Sequence, residues 1–506
     1  MSKFVGRQIE LDRLRGAMEK KTASFIVING RRRIGKSRLV EEFSKNFDYY
    51  YVFSGLPPDE KTTMEDQLNE FSSQISKNFS SPKARYNDWS DAFWAVAEKI
   101  PKGKILLLFD EISWMGSRDV SFLGKIKNLW DLHLKKNDSL VFIICGSASS
   151  WIEKNILSNS GFVGRISFTL TLRELTLSEC NKFWPSNISY ESSFGQGRNA
   201  VNRIALSARA KGSRDRSDVA DSIYEKIKIL SITGGIPKYL EEIDPKKNAE
   251  QNIKNLCFTE GGILVEEFKQ IFSDVFLRES ELYKKILKVL SHGSKDITEI
   301  QKALNKNTQG RVLEYLDELS LAGFITRDYT WNVKTGKDSK LSRYRLHDNY
   351  FRFYLKYIDK NLTKIKRHSF SFKSLFLLPE WYGILGFQFE NLILNNRKCI
   401  HQILGISSDE IISENPYFQK KTTQQQGCQI DYMIQTRFNT LYVCEIKFSK
   451  DPITSEVIKE VQEKINKLKN YKYFSCRPVL IHVNGVSKDV KESDFFSKII
   501  DVESMF

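Results

Sequence analysis

Short apolar runs separated by amphipathic segments dominate the first third of the chain. Three of these runs, at 24–29, 104–109 and 140–145, carry apolar residues on both faces. That pattern is typical of parallel strands buried in the middle of a sheet. Because helical periodicity fills the segments between the runs, residues 1–172 are predicted to form a three-layer α/β domain.

The rest of the chain changes pattern several times. It becomes mostly helical after the first domain, with a Ser-, Gly- and Arg-rich stretch at 192–220 that we interpret as a mobile loop. A second α/β pattern appears near the C-terminus. The predicted domains are an α/β core at 1–172, a helical domain at 173–275, a winged helix at 276–355, a basic linker at 356–375 and a second α/β unit at 376–506.

The winged-helix prediction is based on three helices followed by a hairpin. The helices are expected around Leu282 to Leu287, at Ile297 to Leu304 and at Thr308 to Leu321, and residues 324–327 are expected to pair with 343–346. The third helix carries acidic residues around Arg311, so it is poorly suited to contact the base edges of DNA. The alternative is a winged helix that only packs against its neighbours.

A glycine-rich loop lies between the first apolar run and a helix. Residues 30–37 have the spacing G-x-x-x-x-G-K-[ST], in which backbone N–H groups and a helix N-terminus surround a phosphate. Lys36 is expected to reach the β- and γ-phosphates, and Ser37 to bind Mg²⁺. A chance match is disfavoured by the strand before the loop and the helix after it. The predicted nucleotide-binding residues are Gly30, Arg31, Arg32, Arg33, Ile34, Gly35, Lys36, Ser37 and Arg38.

The second apolar run ends in an acidic pair. Asp110 is expected to hold Mg²⁺ through water, and Glu111 to polarise the water that attacks the γ-phosphate. Ser147 follows the third run, at the position where ATPases with such a glycine loop and acidic pair place a polar sensor of the γ-phosphate. The alternative is a loop serine without a role in the site. Together with the glycine loop, these residues predict an ATPase.

The net charge of +16 is concentrated in the middle of the chain. Residues 301–400 contain 18 Lys and Arg against 9 Asp and Glu, whereas 401–506 contain 14 of each sign. A basic block of this kind indicates a polyanion surface, most simply DNA, and a solvated lysine-rich face is the alternative. Lys334, Lys337 and Lys340 at the predicted wing tip, and the segment from Lys356 to Arg367, are expected to contact phosphates.

Other features narrow the class of protein. No apolar run reaches about 18 residues, and the first residues lack the apolar segment of a signal peptide, so we expect a cytoplasmic protein without membrane contact. The 7 cysteines are scattered without a C-x-x-C pair, which disfavours a zinc site and a disulfide framework.

Two strand-like runs near the C-terminus carry a second candidate site. If the turn between them is centred on Phe438, Asp431 lies opposite Glu445, and alternation places Lys447 on the same face. Two adjacent carboxylates repel each other unless something positive lies between them, and Mg²⁺ or Mn²⁺ is the simplest candidate. A solvent-exposed face is the alternative, but the apolar residues on both faces of 441–448 indicate a central strand.

The N-terminal motifs resemble those of AAA+ ATPases and of the archaeal and bacterial P-loop ATPases related to the STAND branch. The resemblance rests on four motifs. They are residues 4–7, the GRRRIGKS loop at 30–37, the Phe-Asp-Glu sequence at 109–111 and the Gly-Gly-Ile-Pro sequence ending at Pro237. It implies ATP as the nucleotide, a lid at 173–275, and an arginine finger at Arg165, which would act in a homo-oligomer. It also adds to the nucleotide site the residues Val5, Gly6, Arg7 and Pro237.

The C-terminal pattern Asp…Glu-x-Lys resembles the PD-(D/E)xK nuclease superfamily. That resemblance implies a restriction-nuclease-like α/β fold and two further residues, an acid on an upstream helix, matched by Glu390, and a glutamine on the following helix, matched by Gln462. The expected metal ligands are then Glu390, Asp431 and Glu445. Ile430 stands where the pattern has proline.

The sequence therefore predicts an ATPase that binds DNA and cleaves it with a Mg²⁺-dependent nuclease domain. The alternative is a regulatory protein in which ATP acts as a switch and the C-terminal domain does not cut.

Overall fold

The computed structural model describes residues 4–57, 61–147, 149–184, 222–275, 280–304, 311–423, 425–469 and 471–506. The loop predicted at 192–220 lies outside these residues. The chain divides into two compact units. The first unit comprises Met1–Leu175, Lys269–Ser280 and Leu316–Gly323; the second comprises Thr176–Phe268, Glu281–Tyr315 and Phe324–Phe506.

A five-stranded parallel sheet forms the centre of the first unit. Its strands are β1 (Ser24–Asn29), β2 (Tyr49–Ser54), β3 (Ile105–Asp110), β4 (Leu140–Gly146) and β5 (Phe168–Thr171). Their order in the sheet is β2-β3-β4-β1-β5. The three apolar runs of the sequence are β1, β3 and β4, and every residue of β1 and β4 is buried, which confirms the prediction of a parallel α/β core.

Helices and aromatic side chains cover this sheet. Phe71, Trp89, Phe93 and Phe109 pack ring against ring in the core, with centroids 5.3 to 5.6 Å apart. The helices of the first 175 residues are Gln8–Met18, Lys36–Ser44, Met64–Asn78, Trp89–Lys99, Ile112–Met115, Phe122–Leu132 and Ser149–Ile152.

Between β5 and a hairpin, the described residues at 172–184, 222–275, 280–304 and 311–324 form helices and connecting loops. The helices are Leu177–Cys180, Ile223–Thr233, Pro237–Leu240, Ala249–Cys257, Ile263–Val275, Ser280–Leu290, Ile297–Leu304 and Val312–Leu321. The hairpin joins β6 (Ile325–Trp331) to antiparallel β7 (Asp338–Leu346) with Ile325 opposite Leu346, as predicted. The winged helix itself remains a prediction, and the predicted start of its third helix at Thr308 falls outside the described residues.

A second five-stranded sheet lies in the C-terminal part. Its strands are β8 (Ile411–Gln419), β9 (Cys428–Thr436), β10 (Thr440–Lys447), β11 (Ser475–His482) and β12 (Lys498–Asp501), in the order β12-β11-β10-β9-β8. Strands β8, β9 and β10 are antiparallel, and β10, β11 and β12 are parallel. The accompanying helices are Asn349–Phe353, Leu362–Lys366, Trp381–Asn395, Arg397–Leu404, Glu456–Lys467 and Lys488–Glu492.

The hairpin packs directly against this second sheet. The indole N–H of Trp331 donates to Gln435 Oε1 at 2.5 Å, and the Asn415 side chain donates to the Tyr329 carbonyl at 3.2 Å. The hairpin and the sheet belong to one compact unit, and the boundaries predicted from the sequence for the domains within it remain predictions. In the part of the chain that the structure covers, no helix has the length and apolarity to cross a membrane.

Candidate functional sites

The glycine loop of the first unit is held in a conformation that depends on its glycines. Gly30 and Gly35 have φ values of 146° and 93°, and a Cβ on Gly30 would lie 2.7 Å from the Leu172 carbonyl oxygen. The helix Lys36–Ser44 begins immediately after Gly35, so its free N–H groups face the loop. Lys36 is buried, and its Nζ donates to the carbonyls of Gly30 at 2.9 Å and Arg31 at 3.2 Å. The loop and its lysine form one compact anion-binding shape.

The loop meets the acidic pair at the end of β3. Ser37 Oγ donates to Asp110 Oδ2 at 2.6 Å, although the two residues lie 73 positions apart in the sequence. Glu111 has a φ of 48°, and its Oε2 accepts from the N–H of Ser147 at 3.1 Å and from its hydroxyl at 3.0 Å. The structure therefore brings together four residues that the sequence assigned to ATP chemistry.

Arg7 connects the N-terminal motif to the same loop. Its guanidinium donates to the carbonyls of Ile34 at 3.1 Å and Arg173 at 2.6 Å, and it pairs with Glu10 at 3.0 Å. Gly6 precedes it with a φ of 73°, and Val5 is half-buried. Through these hydrogen bonds Arg7 stabilises the backbone of the glycine loop.

The other arginines of the nucleotide prediction differ in their surroundings. Arg33 donates to Gln270 at 2.9 Å and Arg38 pairs with Glu41 at 2.9 Å, while Arg31 is buried and Arg32 is half-buried. Pro237 is the first residue of the helix Pro237–Leu240 in the second unit. Its assignment to the nucleotide remains a prediction.

Arg165, predicted as an arginine finger, forms an ion pair within its own chain. Its Nε and Nη2 donate to the Asp131 carboxylate at 2.8 to 3.0 Å, which lowers the pKa of Asp131 to about 2. Lys127 Nζ lies 3.0 Å from the same carboxylate. The guanidinium would have to leave Asp131 before it could reach a neighbouring subunit.

The C-terminal acids come together as the hairpin symmetry predicts. Cys444 pairs with Tyr432 across β9 and β10, so the next opposed pair in this register is Glu445 and Asp431. Asp431 Oδ2 accepts from the N–H of Ile446 at 2.9 Å, and Lys447 Nζ lies 3.0 Å from Glu445 Oε1. All three predicted residues are thus found at one place in the sheet.

Burial and mutual repulsion shape the electrostatics of these acids. Burial and the charge of Glu445 raise the pKa of Asp431 to about 6. Burial and the charge of Asp431 raise the pKa of Glu390 to about 7, against the opposing effect of Arg345 and Arg352. The Glu390 carboxyl therefore interacts electrostatically with Asp431. However, no group of three or more His, Cys, Asp or Glu residues with the geometry of a metal site occurs among the residues that the structure describes.

This site also contains two residues, Lys464 and Glu460, that the sequence patterns did not indicate. Lys464 Nζ lies 2.5 Å from Glu445 Oε2 and 3.8 Å from Asp431 Oδ1, and Glu460 Oε2 lies 2.7 Å from Lys447 Nζ. Both come from the helix Glu456–Lys467.

Gln462 of that helix, predicted as a catalytic residue, is exposed and donates to Asn466 at 3.0 Å, away from the acids. Helical periodicity explains the difference. Val457, Val461 and Ile465 form the buried stripe, and Glu460 and Lys464 flank it on one side while Gln462 lies on the other.

The predicted DNA-binding lysines are in two situations. Lys334, Lys337 and Lys340 are all exposed around the turn of the β6–β7 hairpin. By contrast, in the basic segment that follows, Lys356 pairs with Glu380 at 2.7 Å and Lys366 pairs with Glu266 at 2.5 Å. Lys360, Lys364 and Arg367 of that segment are exposed like the hairpin lysines, so both regions present cations for phosphate contacts.

Comparison with known proteins agrees with the nucleotide site. Residues 4–197 match a family described as an ATPase domain predominantly from Archaea. The match supports a P-loop ATPase domain in this part of the chain, in accord with the parallel sheet and the glycine loop. An uncharacterized protein of Methanocaldococcus jannaschii is 27% identical over 405 residues, which cover 77% of this chain and 76% of the relative.

Solved structures with similarity to this chain are more distant. A Walker-type ATPase of Pyrococcus abyssi has a TM-score of 0.47 and 15% identity, covering 70% of this chain and 96% of that protein. The ORC2 protein of Aeropyrum pernix has a TM-score of 0.34 and 15% identity, covering 72% of this chain and 93% of its own. Similarity at this level supports no conclusion about activity.

The raised pKa values of Asp431 and Glu390 predict a pH effect on stability. Between about pH 4 and pH 7 these two carboxyl groups hold more protons in the folded metal-free protein than in the unfolded chain, so their contribution to stability should fall as the pH rises through that window. Asp431→Asn removes part of this effect. The melting temperature of the wild type relative to Asp431→Asn, measured calorimetrically in EDTA, should therefore decrease from about pH 5 to pH 8.

The matched control for this measurement is Asp451→Asn, which changes an exposed acid just beyond β10. This variant should keep the wild-type dependence on pH. A constant difference between the wild type and Asp431→Asn across the pH range would contradict the raised pKa of Asp431.

Proposed function

We propose that this protein binds and hydrolyses ATP in its first unit, and binds DNA and cleaves it in its second. The contact between Ser37 and Asp110 supports the ATPase proposal, because these are the hydroxyl and carboxylate expected beside Mg²⁺. The convergence of Asp431, Glu445 and Lys447 supports the nuclease proposal. The two activities would use separate sites.

In the ATPase proposal each residue has a distinct task. The loop N–H groups and Lys36 bind the phosphates, while Ser37 and Asp110 hold Mg²⁺. Glu111 activates the attacking water. Ser147 donates a hydrogen bond to Glu111, so it lies close enough to this water to act as the sensor of the γ-phosphate. Arg165 would serve as a finger in a homo-oligomer only after release from Asp131.

In the nuclease proposal Asp431 and Glu445 would hold Mg²⁺ or Mn²⁺. Magnesium is commonly bound through one or two carboxylates together with water and phosphate, so the two acids fit this ion without a third protein ligand. The bound ion would polarise the phosphodiester and lower the pKa of a water molecule. Lys447 is placed to stabilise negative charge on the phosphate, and Glu460 orients its ammonium group.

One observation favours the regulatory alternative. Lys464 already lies between the two acids, so the charge of the pair is partly neutralised by the chain itself. A domain that recognises DNA without cutting it could keep such an arrangement permanently. Cleavage assays with single-stranded and duplex DNA and Mg²⁺ or Mn²⁺, with and without ATP, distinguish the two functions.

Lys36→Ala and Glu111→Gln should affect ATP differently. The first removes a charge at the phosphates and should weaken ATP binding by about 10- to 100-fold. The second removes only water activation, so ATP should still bind while hydrolysis falls by about 100-fold or more. Fluorescent-nucleotide titration and phosphate release measure the two effects. Lys45→Ala, which changes an exposed lysine just after the helix Lys36–Ser44, is the control. Hydrolysis by Glu111→Gln at the wild-type rate would refute the role of Glu111.

Neutralising the three hairpin lysines should weaken DNA binding for every sequence. Replacing Lys334, Lys337 and Lys340 with glutamine should lower the slope of log affinity against log salt concentration by up to about 2.7, since each phosphate contact contributes about 0.9. Fluorescence anisotropy at several salt concentrations measures this slope. The same change at the exposed lysines Lys20, Lys21 and Lys102 should leave it unchanged. Preference for one duplex sequence, lost on mutation of Arg311, would instead favour a sequence-reading regulator.

Changes at the C-terminal site should separate metal binding from cleavage. Asp431→Asn and Glu445→Gln each remove a ligand and should abolish both. Lys447→Met should retain the metal but lose cleavage by about 100-fold, because only charge stabilisation at the phosphate is removed. Nuclease assays combined with Mn²⁺ titration make the distinction, and Glu463→Gln on the exposed face of the neighbouring helix should behave like the wild type. Cleavage that survives Asp431→Asn would exclude this site.

A further inference from the structure

Each carboxylate oxygen of the C-terminal acidic pair already has a partner in the protein. Glu445 is buried, with Oε1 3.0 Å from Lys447 Nζ and Oε2 2.5 Å from Lys464 Nζ. Asp431 Oδ2 accepts a backbone hydrogen bond at 2.9 Å, while its Oδ1 lies 3.8 Å from Lys464 Nζ. The Lys464 ammonium group is thus the group that both acids share.

The two lysines differ in how they are tied to the rest of the site. Lys447 has a second acidic partner, Glu460 at 2.7 Å, and belongs to the same strand as Glu445. Lys464 reaches the acids from a helix, and it forms its ion pairs with the two acids themselves. Because its side chain is long and 27% exposed, it can turn away without any change in the backbone.

A divalent ion that binds both acids needs the oxygens that now face Lys464. A positive charge held between the acids would also repel an incoming metal strongly in a site with little water. The ammonium group and the metal are therefore alternatives, and each stabilises the pair when the other is absent. The free energy that Lys464 contributes to the metal-free protein is lost when the metal binds.

We propose that Lys464 competes with the divalent metal for the acidic pair and so regulates metal loading. This inference rests on the proposed metal site. The anion that would accept the released ammonium group is a nucleic-acid phosphate brought to the site, because it carries the charge that Lys464 gives up when it leaves the acids. Metal binding is then weak without nucleic acid and stronger with it, and the coupling is reciprocal.

Mn²⁺ titration of the full chain, free of nucleotide and nucleic acid, tests the competition. Replacing Lys464 with methionine should tighten Mn²⁺ binding at this site by about tenfold or more. Lys464→Gln, which keeps a hydrogen-bond donor but no charge, should act in the same direction and provides a second variant if methionine prevents folding. The double variant Asp431→Asn with Glu445→Gln defines the Mn²⁺ bound elsewhere, including the glycine loop.

Lys467→Met is the matched control, since Lys467 lies on the same helix and pairs with Glu463 at 3.5 Å. It should bind Mn²⁺ as the wild type does. A second readout is the melting temperature in EDTA, which should fall in Lys464→Met because the acids lose their cation, and should rise more than in the wild type when Mn²⁺ is added.

The outcomes separate this inference from the proposed function. Site-specific Mn²⁺ binding of equal strength in the wild type and in both Lys464 variants would overturn the competition and leave the metal site standing. Binding no greater than that of the double variant, in the wild type and in both Lys464 variants, would remove the metal site and the competition together.

Discussion

Two carboxylates placed side by side within a sheet need positive charge, and the second unit is organised around this requirement. Asp431 and Glu445 face each other across β9 and β10, where an unpaired buried charge would cost several kcal/mol. Lysines supply the charge from two elements, because Lys464 comes from the helix beside the sheet and a second lysine from β10 itself. The hairpin contributes Arg345, whose charge opposes the rise in the pKa of Glu390. The strands, the helix and the hairpin are thereby linked through one set of charges.

The first unit uses backbone N–H groups to stabilise the negative charge of a phosphate. Its glycine loop directs N–H groups and one helix terminus toward a phosphate, and Lys36 adds the charge. The acids at the end of β3 are satisfied in turn by the hydroxyl of Ser37 and by Ser147. The glycine loop therefore offers N–H groups and a lysine to an anionic phosphate. The C-terminal site instead contains two carboxylates, whose negative charge a cation must balance. The proposed chemistry of each site follows from that difference.

Patterns with strict local geometry are predictable from the sequence. The buried strands identify the nucleotide site, and the symmetric turn at Phe438 is sufficient to place Asp431 opposite Glu445. Contacts set by side-chain reach are not predictable in this way. A resemblance points to Gln462, but the buried stripe of the helix turns Lys464 toward the acids instead. Likewise Arg165 is held by a partner 34 residues away, Asp131, that no local pattern indicates.

We expect Asp431 and Glu445 to form a metal site in which the Lys464 ammonium group stands in for the ion until the metal binds. A crystal structure of the full chain grown with Mn²⁺, with anomalous diffraction data collected at the manganese absorption edge, tests this most directly. The expected result is an anomalous peak bound by both carboxylates, with the Lys464 ammonium group turned away from them. A structure without a peak at the pair, with Lys464 still between the two acids and manganese present at the glycine loop, would contradict it.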